Sequence, residues 1–186
     1  MAGVLVQGAL LVLGPFIVLM VFGRGRALRW DVVVVGAIAF VISEPFRILT
    51  APIFGAAAVW QALGIYIPLR AFGVRDRDEP LTLGLAFGGA QVVSSGIALV
   101  VALSTGGAAT LSVPALIAAA ADIALAPALA LFAAHAVRTR QARWVLAMIG
   151  LGVLATLGLP ELVAVAIAAW WLSSLLPAQV ASDSTP

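Results

Sequence analysis

Long apolar runs, interrupted at a few points by charge, dominate the pattern along this chain. Gly3 to Gly23 is apolar except for Gln7 and a Gly14-Pro15 pair that predicts a kink. A second run opens at Asp31, carries Val32 to Val35 and closes near Thr50. The uncharged turn Thr50-Ala51-Pro52 leads into a third, shorter run from Ile53 to Leu69. Arg70 to Pro80 is strongly charged, and Leu81 to about Leu103 is apolar again. Pro114 suits the first turn of an alanine-rich fifth run that ends near His135. From Trp144 to Leu176 there is no cation and one break, Pro160-Glu161, which predicts two short helices joined by a tight turn. A bilayer core takes roughly 20 apolar residues per helix. The spacing therefore predicts an all-α polytopic membrane protein of seven spans, at about 3–23, 31–50, 53–69, 81–103, 114–135, 144–159 and 162–176. They form one domain over 1–180, followed by a short tail at 181–186.

Composition agrees with the pattern: 63% hydrophobic residues, 10% charged and a mean hydropathy of +1.18 cannot make a water-soluble surface. A net charge of +2 and a pI near 10.4 would suggest nucleic acid in a soluble protein. Here the ten cations are all arginine, and their placement assigns them another role. Arg24, Arg26 and Arg29 follow the first run, Arg70, Arg75 and Arg77 the third, and Arg138, Arg140 and Arg143 the fifth. The loops after the second and fourth runs carry no charge. All basic loops thus fall on one side, which the positive-inside bias makes cytoplasmic, with the N-terminus outside and the tail inside. The expected setting is the cytoplasmic (inner) membrane, multi-pass, with membrane lipid around the helices and no nucleic-acid partner. Cysteine is absent, which excludes disulfides, thiol catalysis and cysteine metal sites. The apolar start is too long for a signal-peptide core and lacks a cationic lead, so it reads as a retained span.

Chemistry can reside only in residues that break the apolar rule. Glu44 and Arg47 are three apart, share a helix face and can pair, toward the outer end of the second span. Gln61, Gln91 and Asp122 fall at one depth on the third, fourth and fifth spans, which suggests a common polar pocket. A hydrogen-bonded packing network accounts for the trio equally well. A lone intramembrane carboxylate costs from about 2.5 kcal/mol upward, so Asp122 needs a partner among these groups. Gly84 and Gly88 share a face of the fourth span, beside Gly89, and allow close approach of a neighbouring backbone. His135 is the single histidine and cannot build a zinc site alone, so no metal is expected. Neither a phosphate-binding glycine loop nor a serine-histidine-carboxylate set at matching depth is present. Trp144 and Trp170-Trp171 read as interfacial or packing aromatics.

These residues carry a resemblance. Leu13-Gly14-Pro15, Ala27-Leu28-Arg29, Gly36-Ala37 and Ser43 resemble the first two spans of the anterior-pharynx-defective (Aph) subunit of gamma-secretase. Gly84-Leu85-Ala86-Phe87-Gly88-Gly89-Ala90-Gln91 resembles the fourth-span motif G-x-G-H-G-G-x-E of the related YhfC-type intramembrane metalloproteases. That family's third-span E-E-x-x-R falls on Trp60, Gln61 and Gly64. Its motif histidine falls on Phe87 and its glutamate on Gln91, and its later histidines fall near Ala126 and between Gly150 and Val153. Glutamine keeps the shape of glutamate but is neither a general base nor an anionic metal ligand. The resemblance therefore implies a non-catalytic, pseudo-protease member of a seven-span fold. It would act as a scaffold for a membrane-protein partner, with a pocket at Gln61, Phe87, Gln91, Asp122, Glu44 and Arg47 and no cofactor. Two alternatives remain open. One is an intramembrane protease of atypical site, built on Asp122, Glu44 or His135, for which zinc would be the cofactor. The other is a small-solute or ion carrier around Glu44, Arg47 and Asp122, against which stands the missing internal repeat.

Overall fold

The computed structural model describes residues 2–24, 29–76, 78–105 and 113–155. Among them are six helices and no strand: α1 (Ala2–Phe22), α2 (Trp30–Leu49), α3 (Ala56–Phe72), α4 (Asp78–Ser104), α5 (Val113–Thr139) and α6 (Ala142–Ala155). Four have the length and apolar composition to cross a membrane: α1, α2, α4 and most of α5. The protein is membrane-embedded. Of the seven expected spans these four are shown among the described residues; α3 has 17 residues, and α6 has 14 up to Ala155, where the described residues end. The predicted span 162–176, the Pro160-Glu161 turn, Trp170-Trp171, the tail and the Gly106-Gly107 loop lie outside the described residues.

Several boundaries move, each for a local reason. α3 starts at Ala56 and not at Ile53, because Gly55 turns the chain at a φ of 78°, a conformation open to glycine. α4 starts at Asp78 and not at Leu81. The Asp76 carboxylate accepts the backbone N–H groups of Asp78 and Glu79, both at 2.8 Å, and so satisfies donors left free by the first turn. Asp78 and Glu79 also suit the positive end of the helix dipole, and Pro80 is tolerated in a first turn. α5 runs one turn past His135 to Thr139, where the chain reverses through Arg140 at a φ of 53°.

α4 is the centre of the bundle. It packs against α1, α2 and α5, while α3 packs against α2, α5 and α6. Thr82 to Gly89 is buried without interruption, so every face of this segment meets protein. Glycine makes that possible. A Cβ added to Gly84 would lie 2.4 Å from the Pro127 Cα, and one on Gly88 would lie 2.8 Å from the Asp122 carbonyl oxygen. The α4 and α5 backbones are therefore in direct contact, which is how membrane helices gain dispersion energy when burial from water is not available. α1 meets α4 in the same way, with Leu11 and Val12 against Gly96.

Described arginines that flank α2, α3 and α5 come to one end of this bundle. Arg29, ahead of α2, reaches Glu79 at the start of α4. Arg70, from the last turn of α3, shares a groove with Arg140 between α5 and α6. The uncharged turn at Thr50 to Phe54 and the α4 terminus at Ser104 lie at the opposite end, as helix alternation requires.

Candidate functional site

Two polar groups of side chains interrupt the apolar interior, and helix geometry positions both. The first is centred on Asp122. On α2, Arg47 Nε donates to Glu44 Oε2 and Nη2 to Oε1, both at 2.7 Å. This is a two-pronged pair across one helical turn, with 19% of the Glu44 side chain exposed. Arg47 also acts electrostatically on Asp122, and the Gln91 side chain is within hydrogen-bonding reach of the Asp122 carboxyl. The Gln91 amide on α4 and the Arg47 charge on α2 both act on the Asp122 carboxyl, while the direct ion pair of Arg47 is with Glu44. A carboxylate in hydrocarbon needs such partners.

Gln61 does not close the set. Its Nε2 is buried without a hydrogen-bond partner among the described residues. Its neighbour Trp60 stacks on Phe46 of α2, with ring centroids 4.8 Å apart. One turn further along α3, Gly64 faces Phe87: a Cβ at Gly64 would meet the Phe87 ring at 2.8 Å and Ser43 Oγ at 3.1 Å. Phe87 itself is 2% exposed and packs edge to face on Phe40, with centroids 5.6 Å apart. Ser43 Oγ donates to the Phe40 carbonyl at 2.9 Å. The site is therefore a packed aromatic layer at Phe87, with the Gln91, Asp122, Arg47 and Glu44 polar layer one turn away along α4.

Two close helix crossings flank this segment of α4. Gly64 touches Phe87 across the α3–α4 crossing, and Ala126 lies against Gly88 and Gly84 across the α4–α5 crossing. Zinc does not fit the residues that stand there. Tryptophan, glutamine, glycine, phenylalanine and alanine supply no set of zinc ligands. Among the described residues, no group of three His, Cys, Asp or Glu side chains is placed to hold a metal ion. His135 lies apart from this layer and packs edge to face on Trp144, centroids 4.5 Å apart. No protein-family model, curated protein or solved structure matches this chain.

The second polar group, at the basic end, escaped the reading of the sequence. Glu79 is 7% exposed, and its carboxylate accepts from Arg29 Nη1 and, at 2.7 Å, from the Arg75 backbone N–H. Arg29 also donates from Nε to Asp31 at 3.2 Å. Pairing with Asp31, and to a smaller degree the Glu79 charge, raises the Arg29 pKa further above its ordinary value against a smaller opposing effect of burial. This clasp ties the loop before α2 to the opening of α4 beside a cleft of about 190 Å³. Three carboxylates placed directly ahead of an apolar run carried the signal of a helix start. The long-range partner of Glu79 had none.

Proposed function

We propose that this protein is a non-catalytic membrane scaffold, a pseudo-protease form of the YhfC-type and Aph-like seven-span fold that holds a membrane-protein partner. The packing at Phe87 carries this reading. In this reading the ring stands in for the motif histidine, and it is 2% exposed and closed in by Phe40 and Gly64. Two close crossings are consistent with this reading: Gly64 of α3 against Phe87, and Ala126 of α5 against Gly84 and Gly88. In this proposal α3, α6 and 162–176 complete seven spans, and the arginine end faces the cytoplasm of a bacterial-type inner membrane.

A hydrolase working through Asp122 is the second reading, favoured by a carboxyl on which the Gln91 amide and the Arg47 charge both act. One pair of variants separates the two. Under the scaffold reading, Asp122→Asn keeps most hydrogen bonding and retains a stoichiometric partner on purification in mild detergent. Gly88→Leu, by contrast, drives a side chain into the α5 backbone and loses the partner. A membrane-substrate proteolysis abolished by Asp122→Asn, with folding intact, would overturn the scaffold. Orientation has its own test in a chain without cysteine. Arg75→Cys should resist an impermeant thiol reagent on intact cells, and Thr105→Cys should react. The reverse pattern would invert the topology.

A further inference from the structure

Two clefts open at the arginine end, and they differ in charge balance. The cleft beside Glu79 carries Arg29 and Arg75 together with Asp31 and Glu79, so its cations are matched by anions of the chain itself. The second is a larger groove of about 760 Å³ where the end of α3 meets the α5–α6 turn. Arg70, Arg140 and Tyr66 line it together with the apolar Val137, Val145 and Leu146, and among the described residues no carboxylate does. Arg70 Nη1 donates to the Tyr66 hydroxyl at 3.3 Å, a neutral partner, and no carboxylate among the described residues pairs with it. Leu146 is 68% exposed, so the apolar wall continues onto the surface that faces the acyl chains.

We propose that this groove binds the headgroup of an anionic phospholipid, with the phosphate held between Arg70 and Arg140 and the first acyl segment lying along Val145 and Leu146. Three observations select this occupant. Two guanidiniums with no carboxylate beside them among the described residues favour a phosphodiester, which accepts two-pronged hydrogen bonds that a point cation would not orient. The first turn of α6, beginning at Ala142, opens on the same groove and adds the N–H end of a helix dipole. The apolar side of the groove is continuous with the membrane-facing surface, which a free anion would not need. Arg140 holds a φ of 53° in the two-residue turn, a strained conformation for any residue but glycine, so its guanidinium is presented where a glycine would be cheaper.

The test is native mass spectrometry and lipid titration of the purified full chain. The probes are phosphatidylglycerol, phosphatidylcholine of the same acyl chains, and inorganic phosphate. The wild-type chain should retain phosphatidylglycerol in preference to phosphatidylcholine by on the order of tenfold, as two cations near an anionic surface imply. Arg70→Gln combined with Arg140→Gly should abolish the preference, while Arg75→Gln, in the other cleft, should leave it intact. Arg140→Gly alone relieves the backbone strain, so it should fold at least as well and still lose several-fold in preference. Equal retention of the two lipids, or a preference untouched by the double variant, would overturn the proposal. Displacement of phosphatidylglycerol by millimolar inorganic phosphate would also overturn it, by assigning the groove to a free anion.

Discussion

α1 and α4 are both long apolar helices, yet they do opposite work. α1 is the more apolar of the two, and most of its large side chains face outward: Leu13 is 57% exposed and Met20 70%. α4 carries Gly84, Gly88, Gly89 and Gln91 within two turns and is buried from Thr82 to Gly89. In water the more apolar helix would be the buried one. In lipid the rule weakens, because hydrocarbon solvates leucine as well as protein does, and burial goes to the helix whose glycines allow backbone contact and whose amide needs a partner. Hydropathy alone therefore ranks these helices in the wrong order for the core.

Gly84→Leu should disturb the bundle most. Its Cβ would fall on the α5 backbone at Pro127, which cannot yield as a flexible side chain would. A loss of about 3 kcal/mol or more is expected, seen as a collapsed monodisperse peak in detergent and a large fall in Tm. Arg47→Ala comes next. It leaves Glu44 unpaired and removes the cation near Asp122, at a cost of about 2.5 kcal/mol. Adding Glu44→Gln should recover part of the loss, and a double-mutant cycle on thermal unfolding measures the coupling. The smallest effect belongs to α1. Leu13→Ala on its outward face should change stability by no more than about 0.5 kcal/mol in the same assay. A large loss there would mean that α1 is covered by protein and not by lipid.

Much of the helix layout was legible because hydrocarbon imposes length and apolarity on each span, and both are visible one residue at a time. The Glu44–Arg47 pair was legible for the same reason, since a three-residue spacing fixes a shared face whatever lies around it. The need of Asp122 for a partner was legible from its cost. The groups that act on it were not, because Gln91 and Arg47 influence Asp122 across helix crossings that no spacing encodes. Gln61 shows the limit from the other side: equal depth in the sequence placed it with Gln91, and the orientation of α3 left its amide unpartnered.

By itself, then, the sequence determined that this is a helical membrane protein, that its arginines gather at one end, and that the Gly84 to Gln91 segment lies against other helices. Those properties follow from composition, alternation and the absence of a Cβ, which are local. Tertiary structure alone decided that Phe87 is sealed between Phe40 and Gly64, that Glu79 is the anchor of Arg29, and that Arg70 and Arg140 share a groove without a carboxylate among the described residues. These are matters of which helix faces which. Membrane helices settle that by dispersion contacts and a few polar pairings summed over whole crossings, so no single stretch of chain contains the answer.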